Sequence, residues 1–238
     1  RAPSQRARRG RRSVFEAGLD QASGLRRLLG GAPVMPVIAL GCGTADRSER
    51  TAALALGDAL SRAGWNPLLV DLMDCPADDG LALESSRVSR VRPDEARAFL
   101  AHGHDLRRLA GATARLRVQA FDILLAVAEP LRLADLAAGF IDRMVLLARA
   151  DPVSVARAYA QVKAVALSHG LSDFVVAFLD AGSDDDALVA HERLARTASR
   201  FLAARVAFGG DVSSDAQARK CWDRLALLAC SSLPPAEI

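Results

Sequence analysis

Short apolar runs alternate with longer amphipathic stretches along the chain from about residue 34 onward. Seven of the apolar runs are predicted as strands: Val34–Leu40, Pro67–Leu72, Leu116–Val118, Asp122–Ala128, Met144–Ala148, Asp173–Leu179 and Arg205–Phe208. The amphipathic stretches are predicted as helices: Arg47–Ala63, Pro93–Leu100, Leu131–Phe140, Pro152–Ser168, Asp184–Ala204 and Asp215–Cys230. Strands that alternate with helices of about ten to twenty residues build parallel sheets covered on both faces. The pattern therefore predicts an α/β fold with a doubly wound, mostly parallel sheet.

The chain before this alternating region divides into two parts. Residues 1–13 are basic because arginine recurs in them, as Arg1, Arg6, Arg8, Arg9, Arg11 and Arg12. They are predicted to be a solvated, disordered tail, with contact to acidic lipid, RNA or a partner as the alternative. Residues 14–31 are predicted as a short helix and linker, ended by glycines and a proline. Residues 32–238 are predicted as one α/β domain, in which Cys75–Ala114 is polar, irregular and short of strand signal.

Composition narrows the class of protein. The 238 residues are 51% apolar and carry a net charge of +3, so one domain can bury a full core and its body is not predicted to bind nucleic acid. No apolar run reaches the roughly eighteen residues of a membrane span, and no signal-peptide pattern opens the chain. The four cysteines are scattered, which is typical of reduced cytosolic thiols. We predict a cytoplasmic protein, with peripheral attachment at the inner membrane or cell pole as the alternative.

The turn after the first predicted strand has the outline of a phosphate loop. Gly41 and Gly43 follow the strand, a helix starts near Arg47, and the next predicted strand ends in Asp71. A working loop needs clustered glycines whose N–H groups approach phosphates, and a lysine that neutralises them. The chain has no lysine before Lys163. The same glycines would also suit a dinucleotide-binding turn, but an aspartate stands where that turn needs its third glycine.

Three stretches in order resemble the MinD/ParA family of ATPases, in particular its FlhG (YlxH) branch, which regulates flagellar number. The segment Asp20–Arg26 resembles the DQAxxLR element of that branch. Asp151–Tyr159, with Lys163 after it, resembles the segment PEPTSLTDAY…K, and Glu192–Leu202 resembles the late ERL…RFL helix. The resemblance covers residues from about 19 to about 210. It implies a P-loop NTPase-like α/β domain behind a short N-terminal helix.

The same resemblance implies that the contacts to ATP are altered. Because the interval from Val37 to Asp71 keeps the family's length, the signature lysine falls on Thr44 and the main phosphate lysine on Glu49. The magnesium-binding hydroxyl falls on Arg50, and only the first of two aspartates survives, as Asp71. The later magnesium-associated aspartate falls on Val127, and the adenine-reading asparagine falls on Leu179. We therefore predict a degenerate loop, formed by Gly41, Gly43, Thr44, Glu49, Arg50 and Asp71, with no cofactor; bound ATP with magnesium is the alternative.

The N-terminal element is the predicted partner-binding site. In the family this segment binds the signal-recognition-particle-type GTPase FlhF and stimulates GTP hydrolysis. The resemblance implies that Gln21 positions the attacking water, that Asp20 and Arg26 fix the helix on the partner, and that Leu25 is the apolar anchor. Ala22 and Gly24 complete the predicted site. The alternative is an amphipathic helix that docks on its own domain.

These observations predict a non-enzymatic regulator of flagellar assembly and leave two alternatives open. It would act on FlhF, and on other flagellar or transcriptional partners, as a nucleotide-independent monomer. The alternatives are a residual MinD-type ATPase with an ATP-gated dimer, and an ATP-less scaffold of another polar or secretion apparatus.

The final helix carries one apolar face, formed by Cys221, Trp222, Leu225, Leu228 and Ala229. That face is predicted to pack on the domain, with weak contact to a membrane surface as the alternative. His102 and His104 are predicted to lie in a loop without metal.

Overall fold

The computed structural model describes residues 35–44, 46–73, 88–103, 105–117, 120–137, 140–141, 143–212 and 215–231. Within these ranges the chain forms seven strands: β1 (Val37–Gly41), β2 (Pro67–Asp71), β3 (Ser89–Val91), β4 (Ile123–Ala128), β5 (Met144–Arg149), β6 (Asp173–Leu179) and β7 (Arg205–Asp211). It also forms seven helices: α1 (Arg47–Arg62), α2 (Pro93–Ala101), α3 (Leu106–Arg117), α4 (Pro130–Leu136), α5 (Pro152–His169), α6 (Asp184–Leu202) and α7 (Asp215–Cys230).

All seven strands join one parallel sheet in the order β3-β2-β4-β1-β5-β6-β7. β1, β2 and β4 are buried along their whole length because helices cover both faces of the sheet. One apolar core lies on each face. The parallel α/β class predicted from the alternating pattern is therefore confirmed.

Local signals explain where the helices begin. The side chain of Asp46 accepts a hydrogen bond from the N–H of Glu49 and so caps α1. Asp151 caps α5 in the same way, with Pro152 in the first turn. Gly170 ends α5 at φ 70°, a left-handed conformation that glycine adopts without steric cost. The three aspartates that open α6 lie at the positive end of its dipole.

Two predictions about the region before β4 are wrong. Leu116 and Arg117 belong to the last turn of α3, not to a strand; Val118 lies outside the described residues. The segment Cys75–Ala114 holds β3 and most of α3 besides the predicted helix. β3 has only three residues, two of them partly exposed, so it lacks the long apolar run that marks a strand.

Candidate functional site

The turn after β1 lies at the carboxyl edge of the sheet, where parallel α/β proteins bind ligands. A Cβ atom on Gly41 would lie 2.6 Å from the Cδ2 of Leu146 and 2.8 Å from the Cγ of Pro130. Glycine is therefore required there by packing against β5 and α4. The next residue is also fixed, since the N–H of Cys42 donates to the carbonyl of Ala128 at 2.9 Å.

The carboxylate of Glu49 lies inside this turn and accepts hydrogen bonds from its backbone. Its oxygens accept hydrogen bonds from the N–H of Gly43 at 2.9 Å and from the N–H of Thr44 at 3.1 Å. Glu49 is only 5% exposed, although Thr44 beside it is exposed. A carboxylate thus takes the backbone donors with which a phosphate loop would hold an anion. In the part of the loop that the structure describes, these two N–H groups already have an anionic acceptor.

A second carboxylate, that of Asp46, strengthens the negative character of the turn. It accepts hydrogen bonds from the hydroxyl of Ser48 at 2.6 Å and from the N–H of Glu49 at 3.0 Å. Partial burial raises the pKa of Asp46, but these bonds and a contact from Arg149 outweigh burial and lower the pKa below its ordinary value. Arg149 reaches both Asp46 at 3.4 Å and Asp180 at 3.2 Å. Asp46 is therefore ionised near neutral pH.

Asp71, at the end of β2, is held between two arginines. Its Oδ2 lies 2.9 Å from Arg90 on β3 and 3.6 Å from the Nε of Arg50 on α1. Its Oδ1 accepts the N–H of Met73 at 3.0 Å. The side chains of Asp71 and Arg50 are 5% and 7% exposed. Both carboxylate oxygens are thus used within the protein, and the residue ties β2 to β3 and α1.

Cys42 has no features of a nucleophile. Its thiol is buried, and burial raises the pKa well above its ordinary value; the charges of Glu49, Asp71 and Asp46 raise the pKa further. A nucleophilic cysteine needs the opposite, an electropositive setting that favours the thiolate.

Two cavities open at this edge of the sheet. One, of about 220 Å³, lies between the turn and α5 and is lined by Gly43, Glu49, Arg149, Arg157 and Gln161, among others. The other, of about 730 Å³, lies between α5 and α6 and is lined by Val155, Tyr159, Asp180, Arg193 and Leu194, among others. Arg149 lines both, so its pairs with Asp46 and Asp180 form part of the wall between them.

The structure brings the residues of the predicted degenerate loop together. Gly41, Gly43, Thr44 and Glu49 form the turn and its internal contacts, while Arg50 and Asp71 lie 3.6 Å apart at the start of α1 and the end of β2. Val127 and Leu179, where the resemblance placed an aspartate and an asparagine, are both buried among apolar residues. The sequence reasoning did not identify Arg90 or Arg149, whose partners are far away along the chain.

The inward orientation of Glu49 has a local sequence signal. Asp46 and Glu49 have the spacing of a helix capping box, in which the third helical residue points back toward the helix start. Here the carboxylate reaches past the capping residue to the N–H groups of Gly43 and Thr44. The spacing predicts the direction of the side chain, but not its two acceptors.

The predicted partner-binding site, Asp20, Gln21, Ala22, Gly24, Leu25 and Arg26, lies outside the described residues, as does His104. His102 is exposed, and its ring contacts the carbonyl of Ala98. Among the described residues, no group of histidine, cysteine, aspartate and glutamate side chains could hold a metal ion. In the same part of the chain, every helix is too short or too polar to cross a membrane.

The apolar face of α7 packs on the domain. Trp222 is 7% exposed, and Leu225, Ala226 and Ala229 are fully or almost fully buried in the core on one face of the sheet. The end of the helix is fixed as well, since Arg143 donates to the carbonyl of Leu228 at 2.7 Å. The prediction that this face packs on the domain is confirmed, so a membrane contact would need another surface.

Comparison with known proteins shows the fold. Protein DIP2308 from Corynebacterium diphtheriae gives a TM-score of 0.53 at 12% identity, over 82% of this chain and 98% of that one. A plasmid partition protein from Borrelia burgdorferi gives 0.52 at 12% identity, also over 82% and 98%. The described residues share the parallel α/β fold of these two solved structures.

A ParA family ATPase from Chlorobium tepidum gives a TM-score of 0.49 at 10% identity, over 84% of this chain and 93% of that one. No protein-family model matches the chain. No curated protein matches its sequence either. At these identities the similarity concerns the fold alone.

Proposed function

We propose that this chain is a non-enzymatic regulator of bacterial flagellar assembly or placement. It binds the GTPase FlhF through the segment Asp20–Arg26 and stimulates GTP hydrolysis, while its own ATP site is lost. The observation that carries the loss of the ATP site is the buried carboxylate of Glu49, hydrogen-bonded to the N–H groups of Gly43 and Thr44.

The charge of Glu49 opposes a triphosphate. A lysine in the loop would attract the phosphates, whereas a carboxylate repels them, and each interaction amounts to about 1 kcal/mol in water and about 4 kcal/mol near a protein surface at roughly 4 Å. The ionised Asp46 adds repulsion of the same sign. To bind there, a phosphate would have to displace Glu49 from two hydrogen bonds and leave its carboxylate without them.

The surroundings of Asp71 support the same proposal. A magnesium ion bound with ATP is held by oxygen ligands, carboxylates among them. The oxygens of Asp71 instead accept hydrogen bonds from Arg90 and from the N–H of Met73, within a nearly closed environment. Recruiting this carboxylate to a metal would break the ion pairs that join β2 to β3 and α1.

The activating role needs no nucleotide on this chain. A trans-acting activator supplies a group that orients the attacking water and charge that stabilises the transition state. Gln21 and Arg26 are the residues of the segment Asp20–Arg26 with that chemistry. Loss of the ATP site and retention of the GTPase-activating segment are therefore compatible in one protein.

The test is GTP turnover by purified FlhF with the full chain added. We expect wild type to raise turnover and Gln21→Ala to abolish the gain, while Gln5→Ala in the basic tail leaves it unchanged. Binding of each variant to FlhF is measured alongside, so that loss of stimulation is separated from loss of contact. The proposal fails if wild type gives no stimulation, or if both glutamine variants behave alike.

We also expect the chain to stay monomeric whether or not nucleotide is present. ATP-driven dimers of this fold depend on the signature lysine, and Thr44 stands in its place. The mass measured by light scattering should be the same with and without ATP and magnesium, and calorimetry should detect no heat of ATP binding. A mass that doubles with ATP, or micromolar binding, would instead establish the residual ATPase.

A further inference from the structure

The helix α3 carries an exposed cationic stripe that no function described above uses. It contains four arginines, Arg107, Arg108, Arg115 and Arg117, and no acidic residue. Residues 88–117 as a whole hold seven arginines against three carboxylates, a net charge of +4, which exceeds the +3 of the complete chain. Positive charge is thus concentrated around β3, α2 and α3.

Two of the four arginines are used within the domain. Arg107 lies over the ring of Phe140, 3.9 Å from its centroid. Arg117 donates a hydrogen bond to the carbonyl of Arg90 on β3 at 2.7 Å. Arg108 and Arg115 are exposed, and within the described ranges neither guanidinium has a partner. Their charge is therefore available to an external anion.

A leucine directly follows the second of these arginines, Arg115. Leu116 is 85% exposed, although Leu109, two turns earlier on the same side of α3, is 4% exposed. The last turn of α3 therefore projects past the core. Arg108, Ala112 and Arg115 follow one another at spacings of four and three, which places them in one line along the helix, and Leu116 lies about 100° further round from Arg115. We call these four residues the α3 stripe.

We propose that the α3 stripe is a docking surface for an anionic membrane. Guanidinium groups bind lipid phosphates, and the exposed Leu116 next to Arg115 can enter the acyl boundary. Nucleic acid would gain nothing from Leu116. An acidic peptide could pair with the same arginines. The cavities of about 220 and 730 Å³ that could seat its side chains are, however, lined by α1, α5, α6 and strand ends rather than by α3.

This surface differs from the membrane contact considered for the C-terminal helix. The apolar face of α7 is buried in the core, whereas the α3 stripe already stands in solvent. Each basic residue near an anionic membrane increases the membrane-binding constant about fivefold. Two arginines and one leucine therefore give weak, reversible attachment. Such attachment is expected to weaken as ionic strength rises.

The test is sedimentation of the full chain with vesicles of phosphatidylglycerol and phosphatidylcholine in equal parts, at low salt. We expect wild type to sediment with these vesicles but not with vesicles of phosphatidylcholine alone. Reversing both charges, in Arg108→Glu with Arg115→Glu, should weaken binding at least about thirtyfold. Leu116→Ser, which changes no charge, should weaken binding by about fivefold.

Matched controls separate the α3 stripe from charge and apolar exposure elsewhere. Arg219→Glu with Lys220→Glu makes the same change in net charge on the exposed side of α7. Leu227→Ser removes a leucine that is 66% exposed on that helix. We expect both controls to bind like wild type, and circular dichroism should show that every variant is folded.

Three results would overturn the proposal. Failure of wild type to sediment with anionic vesicles would leave the α3 stripe as a face for an acidic protein. Equal weakening of binding by the control pair and the α3 pair would show that net charge alone decides. Unchanged binding of the α3 pair would assign attachment to the basic tail.

Discussion

Replacing Asp71 by alanine is expected to lower the free energy of unfolding by about 3–5 kcal/mol. The substitution leaves Arg50, 7% exposed, and Arg90 without the carboxylate that lies between them, and it frees the N–H of Met73. Removing a carboxylate from beside a buried arginine is costly because solvent cannot replace the lost ion pair. Urea unfolding followed by circular dichroism measures the change.

Asp94→Ala is the matched control, because it removes an ion pair between Arg92 and Asp94 whose side chains are 71% and 64% exposed. Exposed pairs contribute little to stability because water screens both charges, so this variant should unfold nearly as wild type does. Asp71→Asn keeps an acceptor for Met73 but loses the charge, and should fall between the two. Equal stability of Asp71→Ala and Asp94→Ala would show that the buried ion pairs do not hold β2, β3 and α1 together.

Glu49→Ala should both destabilise the protein and open an anion site. The N–H groups of Gly43 and Thr44 lose their acceptor, at a cost of about 1–3 kcal/mol, moderated because Thr44 is exposed to water. Inorganic phosphate can then bind to these groups at the positive end of α1. A tenfold excess over its dissociation constant would restore about 1.4 kcal/mol. Thermal unfolding with and without phosphate measures both effects.

The comparison with wild type decides this prediction. Wild type should not respond specifically to phosphate, because Glu49 already occupies the two donors. Glu49→Gln keeps an acceptor without the charge and should lose less stability than alanine. Glu192→Ala, on the exposed side of α6, should behave as wild type in every respect. A phosphate response of wild type as large as that of Glu49→Ala would mean that the carboxylate does not block the site.

If both predictions are confirmed, the turn after β1 has a structural role and is not a ligand-binding site. Glu49 would fix the turn to α1, and Asp71 would fix the neighbouring strand end to α1 and β3. A GTPase activator that acts through a separate segment would benefit from such a rigid, ligand-independent body. Stimulation of FlhF by Glu49→Ala in the presence and absence of phosphate would show whether the turn after β1 influences GTPase stimulation.

Long apolar elements could be predicted from local sequence, and short ones could not. The prediction of β6 as Asp173–Leu179 agrees with the structure at both ends, and so does that of α7 as Asp215–Cys230. β3 went unpredicted because three residues, two of them partly exposed, form a strand only by pairing with Leu68, Leu69 and Val70 of β2. The last turn of α3 resembled a strand because it combines Leu116 with polar neighbours.

The residues of the candidate site could be predicted from the sequence, but most of their contacts could not. The order of residues shows that the loop has no lysine, and it fixes the positions of Glu49 and Asp71. These features predicted a turn that repels phosphate. The sequence alone did not show that Glu49 would bind the turn's own N–H groups. It also gave no sign that Arg90 would pair with Asp71, nineteen residues earlier.

By itself, the sequence determined the α/β class, the parallel sheet, the helix caps and the charge placed in the turn after β1. These properties depend on neighbours within a few turns of chain, where spacing alone fixes which side chains meet. The tertiary structure decided that Asp71 is neutralised by arginines, that the apolar face of α7 is buried, and that Leu116 is not. Those outcomes depend on which distant segments cover a side chain, because burial is a property of packing between elements and not of the local pattern.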